Sequence, residues 1–225
     1  MTCQFCRGEY PLALSHALKR PEWRYRIAQP IRHDQIQALL PALAAASTLA
    51  QFRHVQEADP PLVLGLQIKT EDRTVEVDLA AYFGEPEWVA VLGEVKYHNR
   101  VDVHDVANLE YLRDRLMAAG VRTVLMFATL KESFGDDEIL ALRGPSERSP
   151  IIRSSRGQAL PNMPLVLTNM DLSRHPWDEE QPWRWEDPTH SGVLGTAIAS
   201  CRRNLGLDGY DLPSLPDGRA TLSWS

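Results

Sequence analysis

The sequence has little cysteine, no long apolar run and no excess of basic charge, and each shortage excludes something. Three cysteines in 225 residues are too few and too scattered for a disulfide framework, so a reducing, cytoplasmic setting is expected. No apolar stretch approaches the ~20 residues that span a bilayer. The opening MTCQFCRGEY has neither the basic start nor the apolar core of a secretory signal. A membrane is therefore not an expected partner. The formal charge of −6 argues against a coat that holds nucleic acid by bulk charge. It leaves room for an enzyme whose metal site is lined by carboxylates while a few Arg and Lys bind phosphate. Internal repeats and long low-complexity tracts are absent as well.

What is present is ordinary globular material, 44% hydrophobic and 24% charged. The length suits one sizeable α/β domain, or a core with appendages. Residues 1–33 read as an irregular extension with a CxxC and the aromatic-basic patch PEWRYR. From Asp34 to Phe52 the apolar spacing (Ile36, Leu39, Leu40, Leu43, Leu49) is helical, with Asp34 as N-cap and Pro41 dividing or kinking the helix. PLVLGLQIK reads as a strand. RTVEVDLAAYF alternates cleanly, with Val75, Val77, Leu79, Ala81 and Phe83 on one face and Glu76 and Asp78 on the other. GEPE is a turn, and WVAVLGEVKY is the next strand.

A strong helix follows from about Val103 to Ala119, with Asp102 as N-cap, Asp105 in the first turn and Gly120 at its end. VRTVLMFATL is a continuous apolar strand, the pattern of a sheet buried on both faces. KESFGDDEILALRG holds a short helix, PSERSPIIRSSRGQALP is a polar loop, and MPLVLTNMDL is a last short strand. These divisions give a core over 34–172 and a C-terminal extension over 173–225, whose GVLGTAIASCRRNLGL is a candidate helix. A short turn makes the second and third strands antiparallel. The helix between the third and fourth permits a parallel crossover. The expectation is an α/β fold with a mixed central sheet flanked by helices.

The chemistry is concentrated in GEVKYHNR, residues 93–100. Side chains alternate along a strand, so Glu94 and Lys96 share a face. If the hairpin turn centres near Pro86, Asp78 lies almost opposite Glu94, and opposed Cβ atoms are ~5 Å apart. Two carboxylates would then converge on a lysine, and unpaired they would raise each other's pKa. A hard divalent cation resolves that conflict, since Mg²⁺ uses one or two carboxylates with water and phosphate. Lys96 beside it would hold or deprotonate a water, or neutralise phosphate charge in a transition state. The competing reading is a solvated ion pair at an exposed strand end.

The run VEVDLAAYF…VAVLGEVKYHNRVDVHDVANLEYLRDRLMAAGVRTVLMFAT resembles the PD-(D/E)xK nuclease superfamily, the restriction-endonuclease-like fold, from about Leu62 to Leu172. The resemblance implies a Mg²⁺-dependent (or Mn²⁺-dependent) endonuclease that hydrolyses DNA. It implies that Asp78 and Glu94 bind the metal with the Val95 carbonyl as a further ligand, and that Lys96 is the catalytic lysine. It also implies bacterial host defence or DNA processing, and a short chain without an obvious target-recognition segment fits an effector that works with a partner protein or larger complex. The chain departs from the family in two places. Val77 stands where the Pro before the Asp is expected, and Ile36 to Phe52 contains no acid, the nearest being Asp34 and Glu57. Two alternatives stand beside it: a catalytically idle nuclease fold that binds nucleic acid or protein, and a nuclease acting on RNA or single strands or as a subunit of a larger complex.

Other features carry two readings each. Asp105 and Asn108 lie early on the helix that lines the site in similar proteins, or simply on a polar face favoured by the helix dipole. His98, Asn99 and Arg100 are a phosphate contact or a solvated loop. Cys3 and Cys6 have the spacing of half a zinc knuckle, with His16 and Cys201 as the only tempting additions. A zinc ribbon remnant, a zinc shared in a homodimer and free thiols all fit. Trp177, Trp183 and Trp185 either stack on bases or pin an irregular segment to the core. Arg148, Arg153 and Arg156 serve phosphate contact or solubility.

Overall fold

The computed structural model describes residues 33–50, 61–84, 88–153, 159–173 and 192–207. Cys3, Cys6, His16, the side chains of Asp34 and Arg153, Glu57, Arg156, Trp177, Trp183 and Trp185 lie outside what is described. The described residues from Gln37 onward belong to one compact unit.

The alternating β2 (Thr74–Phe83) sits between β1 (Leu62–Lys69) and β3 (Val89–Lys96), antiparallel to both. Its odd-numbered residues from Val75 to Phe83 are buried, whereas Thr74, Glu76 and Tyr82 are exposed. The crossover through α2 (Val103–Ala118) lays β4 (Thr123–Thr129) parallel to β3. All seven residues of β4 are buried, as its unbroken apolar run predicts. A further parallel strand, β7 (Leu165–Leu167), follows β4, and the order β1-β2-β3-β4-β7 makes an open mixed sheet of five strands. The fold is thus α/β with a mixed sheet and flanking helices.

Three departures from the sequence reading have physical causes. The first helix, α1 (His33–Ala50), runs through Pro41 without being divided. It buries Pro41, Ala42, Ala45, Thr48 and Leu49, while Leu40 and Leu43 are exposed. The segment is apolar nearly all round, so periodicity alone does not choose its buried face. The helix α3 (Asp136–Glu147) extends past the expected stop and carries Pro145 inside it. There Ser146 and Ser149 hydroxyls donate to the carbonyls of Leu142 and Pro145, both at 2.9 Å. The expected polar loop contains a two-stranded antiparallel ribbon, β5 (Ile151–Arg153) with β6 (Ala159–Pro161). Strands of three residues are too short to show alternation.

Beyond β7, the short α4 (Asn169–Leu172) turns the chain. The terminal helix α5 (Gly192–Leu205) occupies the sheet's last edge with side chains. Ser200 Oγ accepts from the Val166 N–H at 3.0 Å and Asn204 Nδ2 donates to the Val166 carbonyl at 2.7 Å. An edge closed in this way offers no ladder to another chain. No helix among the described residues is long and apolar enough to cross a membrane.

Candidate active site

The site forms where β2 and β3 part. Their ladder pairs Phe83 with Val89 and ends with Leu79 opposite Gly93. That register is the one a turn centred near Pro86 requires, and it sets Asp78 and Glu94 next in line. Both point to the face opposite Leu79 and Gly93. In place of a ladder bond, the Val95 N–H donates to Asp78 Oδ2 at 2.8 Å. Lys96 directs its carbonyl the other way, accepting from Leu130 N–H at 3.1 Å beside β4. Strand residues alternate in the side to which they turn both backbone groups, so the Val95 carbonyl faces the same fork as Asp78.

On the β1 side, Gly65 falls opposite Asp78, between the pairs Leu64–Leu79 and Leu66–Val77. Its φ of +64° lies in the left-handed region, and a Cβ there would meet nothing within 4 Å. A strand glycine with open space around it leaves room for another backbone to approach.

Lys96 is the hub of the cluster. Its Nζ contacts Glu94 Oε1 and lies 3.2–3.3 Å from the two carboxylate oxygens of Asp105 on α2. Exposure is low for an ion pair, with 13% of the Glu94 side chain and 21% of that of Lys96 reachable by solvent. Burial, and then the charge of Asp78, push the Glu94 carboxyl up to about 7 against the pull of Lys96. Burial also raises Asp78, opposed by the Val95 N–H and Lys96. Burial works to lower Lys96, but its pairing with Glu94 and Asp105 outweighs this and raises its pKa. Lys96 is therefore an ammonium at neutral pH.

Asp105 is itself fixed by the start of α2. Asp102 caps the helix by accepting from the N–H groups of His104 (2.7 Å) and Asp105 (2.9 Å), and Asp105 Oδ2 accepts from the Asp102 N–H at 3.0 Å. This reciprocal capping box satisfies otherwise orphaned donors. Asn108 is half-buried one turn further along.

The loop after Lys96 leaves the cluster. His98, Asn99 and Arg100 are exposed; Arg100 pairs with the exposed Asp137 of α3 at 3.2 Å, and the His98 ring stands edge-on to Tyr97. What anchors this loop is Glu138, which the sequence reading missed. Its buried carboxylate accepts from the N–H groups of Val101 and Gly135, both at 2.9 Å, and pairs with Lys131. The signal was the acid three residues after Gly135, a helix-start pattern.

Arg148 lies at the end of α3 and pairs with Glu110 at 3.4 Å. Cys201 is buried in α5, where Sγ donates to the Pro164 carbonyl at 2.9 Å and burial pushes the thiol up to about 12. A thiol so held is a neutral core group, not a thiolate ligand.

The donor set suits a hard cation. Asp78 and Glu94 are carboxylates whose ionised forms are only partly compensated by the Val95 N–H and Lys96, and the alternation of the strand turns the Val95 carbonyl toward the fork. Among the described residues no group of three or more His, Cys, Asp and Glu side chains is placed to hold a metal. Any ion here would rest on two carboxylates and complete its shell from backbone, water or phosphate, as Mg²⁺ commonly does. No family model, curated protein or solved structure matches the chain.

Proposed function

We propose that the protein is a Mg²⁺- or Mn²⁺-dependent nuclease of the restriction-endonuclease-like kind, hydrolysing DNA phosphodiester bonds. The observation that carries this reading is the half-buried cluster of Asp78, Glu94 and Lys96 at the fork between β2 and β3. Perturbed carboxylates gathered beside one cation at the end of a ladder cost stability, and such clusters concentrate at working sites. Asp78, Glu94 and the Val95 carbonyl would hold the ion. When bound, the ion supplies Lewis acidity toward the scissile phosphate. Lys96, an ammonium with three donors, is suited to stabilise charge building on the phosphate oxygens.

The test is incubation of the purified protein with plasmid, linear and single-stranded DNA, in Mg²⁺, Mn²⁺ or chelator, beside the Lys96→Ala variant. Cleavage that needs the ion and Lys96 supports the reading. The lack of an acid between Ile36 and Phe52 and the net charge of −6 favour a second reading, an idle nuclease fold that binds nucleic acid or protein. Binding of DNA without cleavage in every condition would select it.

A further inference from the structure

We infer that Asp105 is a positioning residue that retains Lys96 in the site when Glu94 turns to the cation. This rests on the nuclease reading and adds a member to its site. The argument begins with a competition. Lys96 Nζ now lies against Glu94, the same carboxylate that would bind the ion. A divalent cation takes that carboxylate's charge and repels a neighbouring ammonium. A lysine held by Glu94 alone would be expelled as the ion arrived.

Lys96 is not held by Glu94 alone. Asp105 offers both carboxylate oxygens at 3.2–3.3 Å. Its own pose owes nothing to Glu94, because Oδ2 is engaged by the Asp102 N–H at 3.0 Å and the helix cap fixes both residues. The Asp105 side chain is only 21% exposed, so little water screens the pair. The second carboxylate thus lowers the cost of freeing Glu94 and keeps the ammonium near the reacting phosphate. Partners that orient a metal ligand or a catalytic group in this way typically carry about 10–100-fold in affinity or activity.

The experiment is a double-mutant cycle on the full chain. Mg²⁺ affinity is measured by calorimetry and kcat and KM for DNA cleavage by a steady-state assay. Asp105→Asn removes the charge but keeps an acceptor for the cap. It should weaken Mg²⁺ about 10–100-fold and lower kcat with little change in KM. Asp105→Glu, an ordinary residue at this place in a capping box, should restore much of both. In a Lys96→Met background, Asp105→Asn should change Mg²⁺ affinity by less than about threefold, because the effect runs through the lysine. An equal loss in that background would make Asp105 a metal ligand and overturn the inference. So would wild-type affinity and kcat in Asp105→Asn. If that variant fails to melt cooperatively, Asp105→Ser, which retains a cap acceptor, takes its place with the same expectations. Failure of the nuclease reading is visible separately, in a wild-type protein that neither binds Mg²⁺ nor cleaves, and that result overturns both.

Discussion

Glu94→Gln should make the metal-free protein more stable at pH 8, even though it removes a partner of Lys96. The Glu94 carboxyl is pushed from 4.5 to about 7 by burial and by Asp78. A tenfold change in a proton's affinity corresponds to about 1.4 kcal/mol, so ionising Glu94 in the folded protein costs at most about 3 kcal/mol more than in the unfolded chain. The sign follows from proton counting. Between pH 4.5 and about 7 the folded state holds a proton that the unfolded state has lost, so stability falls as pH rises through this window. The raised Asp78 acts in the same direction. The lowered Glu138, Asp72 and Asp102 act at lower pH, below their ordinary values, and do not mask the effect.

Urea unfolding in chelator, from pH 5 to pH 8, should therefore show the wild-type protein losing about 1–3 kcal/mol. The Gln variant should show a shallower slope. Its weakened pairing with Lys96 offsets part of the gain, leaving it about 1–2 kcal/mol more stable at pH 8. In a domain of this size that is a rise of roughly 5 °C in Tm. Saturating Mg²⁺ should restore the wild-type protein, since a ligand that binds only the folded state stabilises it, and should do little for the variant. Wild-type stability that rises from pH 5 to pH 8 without metal would refute the reasoning. So would a Gln variant less stable than wild type at pH 8.

Lys96→Ala should melt cooperatively and still bind Mg²⁺, yet lose about 10²–10³ in cleavage rate, the usual loss for one transition-state donor. Full cleavage by this variant would put the idle-fold reading first. Asp78→Asn should keep the fold, because its amide oxygen still accepts from the Val95 N–H, while Mn²⁺ binding by calorimetry falls away; unchanged affinity would place the ion elsewhere. Glu138→Ala should cost about 3–5 kcal/mol in urea unfolding, because it leaves Lys131 and the Val101 and Gly135 N–H groups without their buried acceptor. A loss under about 1 kcal/mol, the scale of a solvent-exposed pair, would show that the clamp contributes little.

The pattern of what could be read from sequence follows from how many residues each feature needs. β2 spans ten residues and alternates throughout, and a short turn leads into β3. Together these leave one register, which places Asp78 beside Glu94, because a slip of one residue would bury Glu76 and expose Val77. The Asp102–Asp105 cap was equally plain, since both acids stand at fixed offsets from an apolar stripe. The buried face of α1 was not legible, because Leu40 and Leu43 are as apolar as the residues that pack. The β5–β6 ribbon was hidden among Ser, Arg and Pro, and its three-residue strands are defined only by their pairing. The role of Glu138 depends on Val101, 37 residues away, a meeting that no local pattern records.

The opposed readings of GEVKYHNR differ in what they ask of water. A solvated ion pair at a strand end keeps its hydration and gains at most about 1 kcal/mol from the contact. Here Lys96 lies between two carboxylates, Glu94 is 13% exposed, and Asp78 is turned inward to the Val95 N–H. Three acids thus surround one ammonium in a half-buried fork, an excess of negative charge that burial makes more costly. A sheet needing only to end its ladder could close the Val95 N–H with a neutral acceptor and leave Glu94 in solvent. With all three ionised, two further positive charges would balance the cluster, and a divalent cation supplies both while suiting the oxygen donors that face the fork. The excess charge, more than the presence of an acid and a lysine two residues apart, is what favours a working site over a solvated strand end.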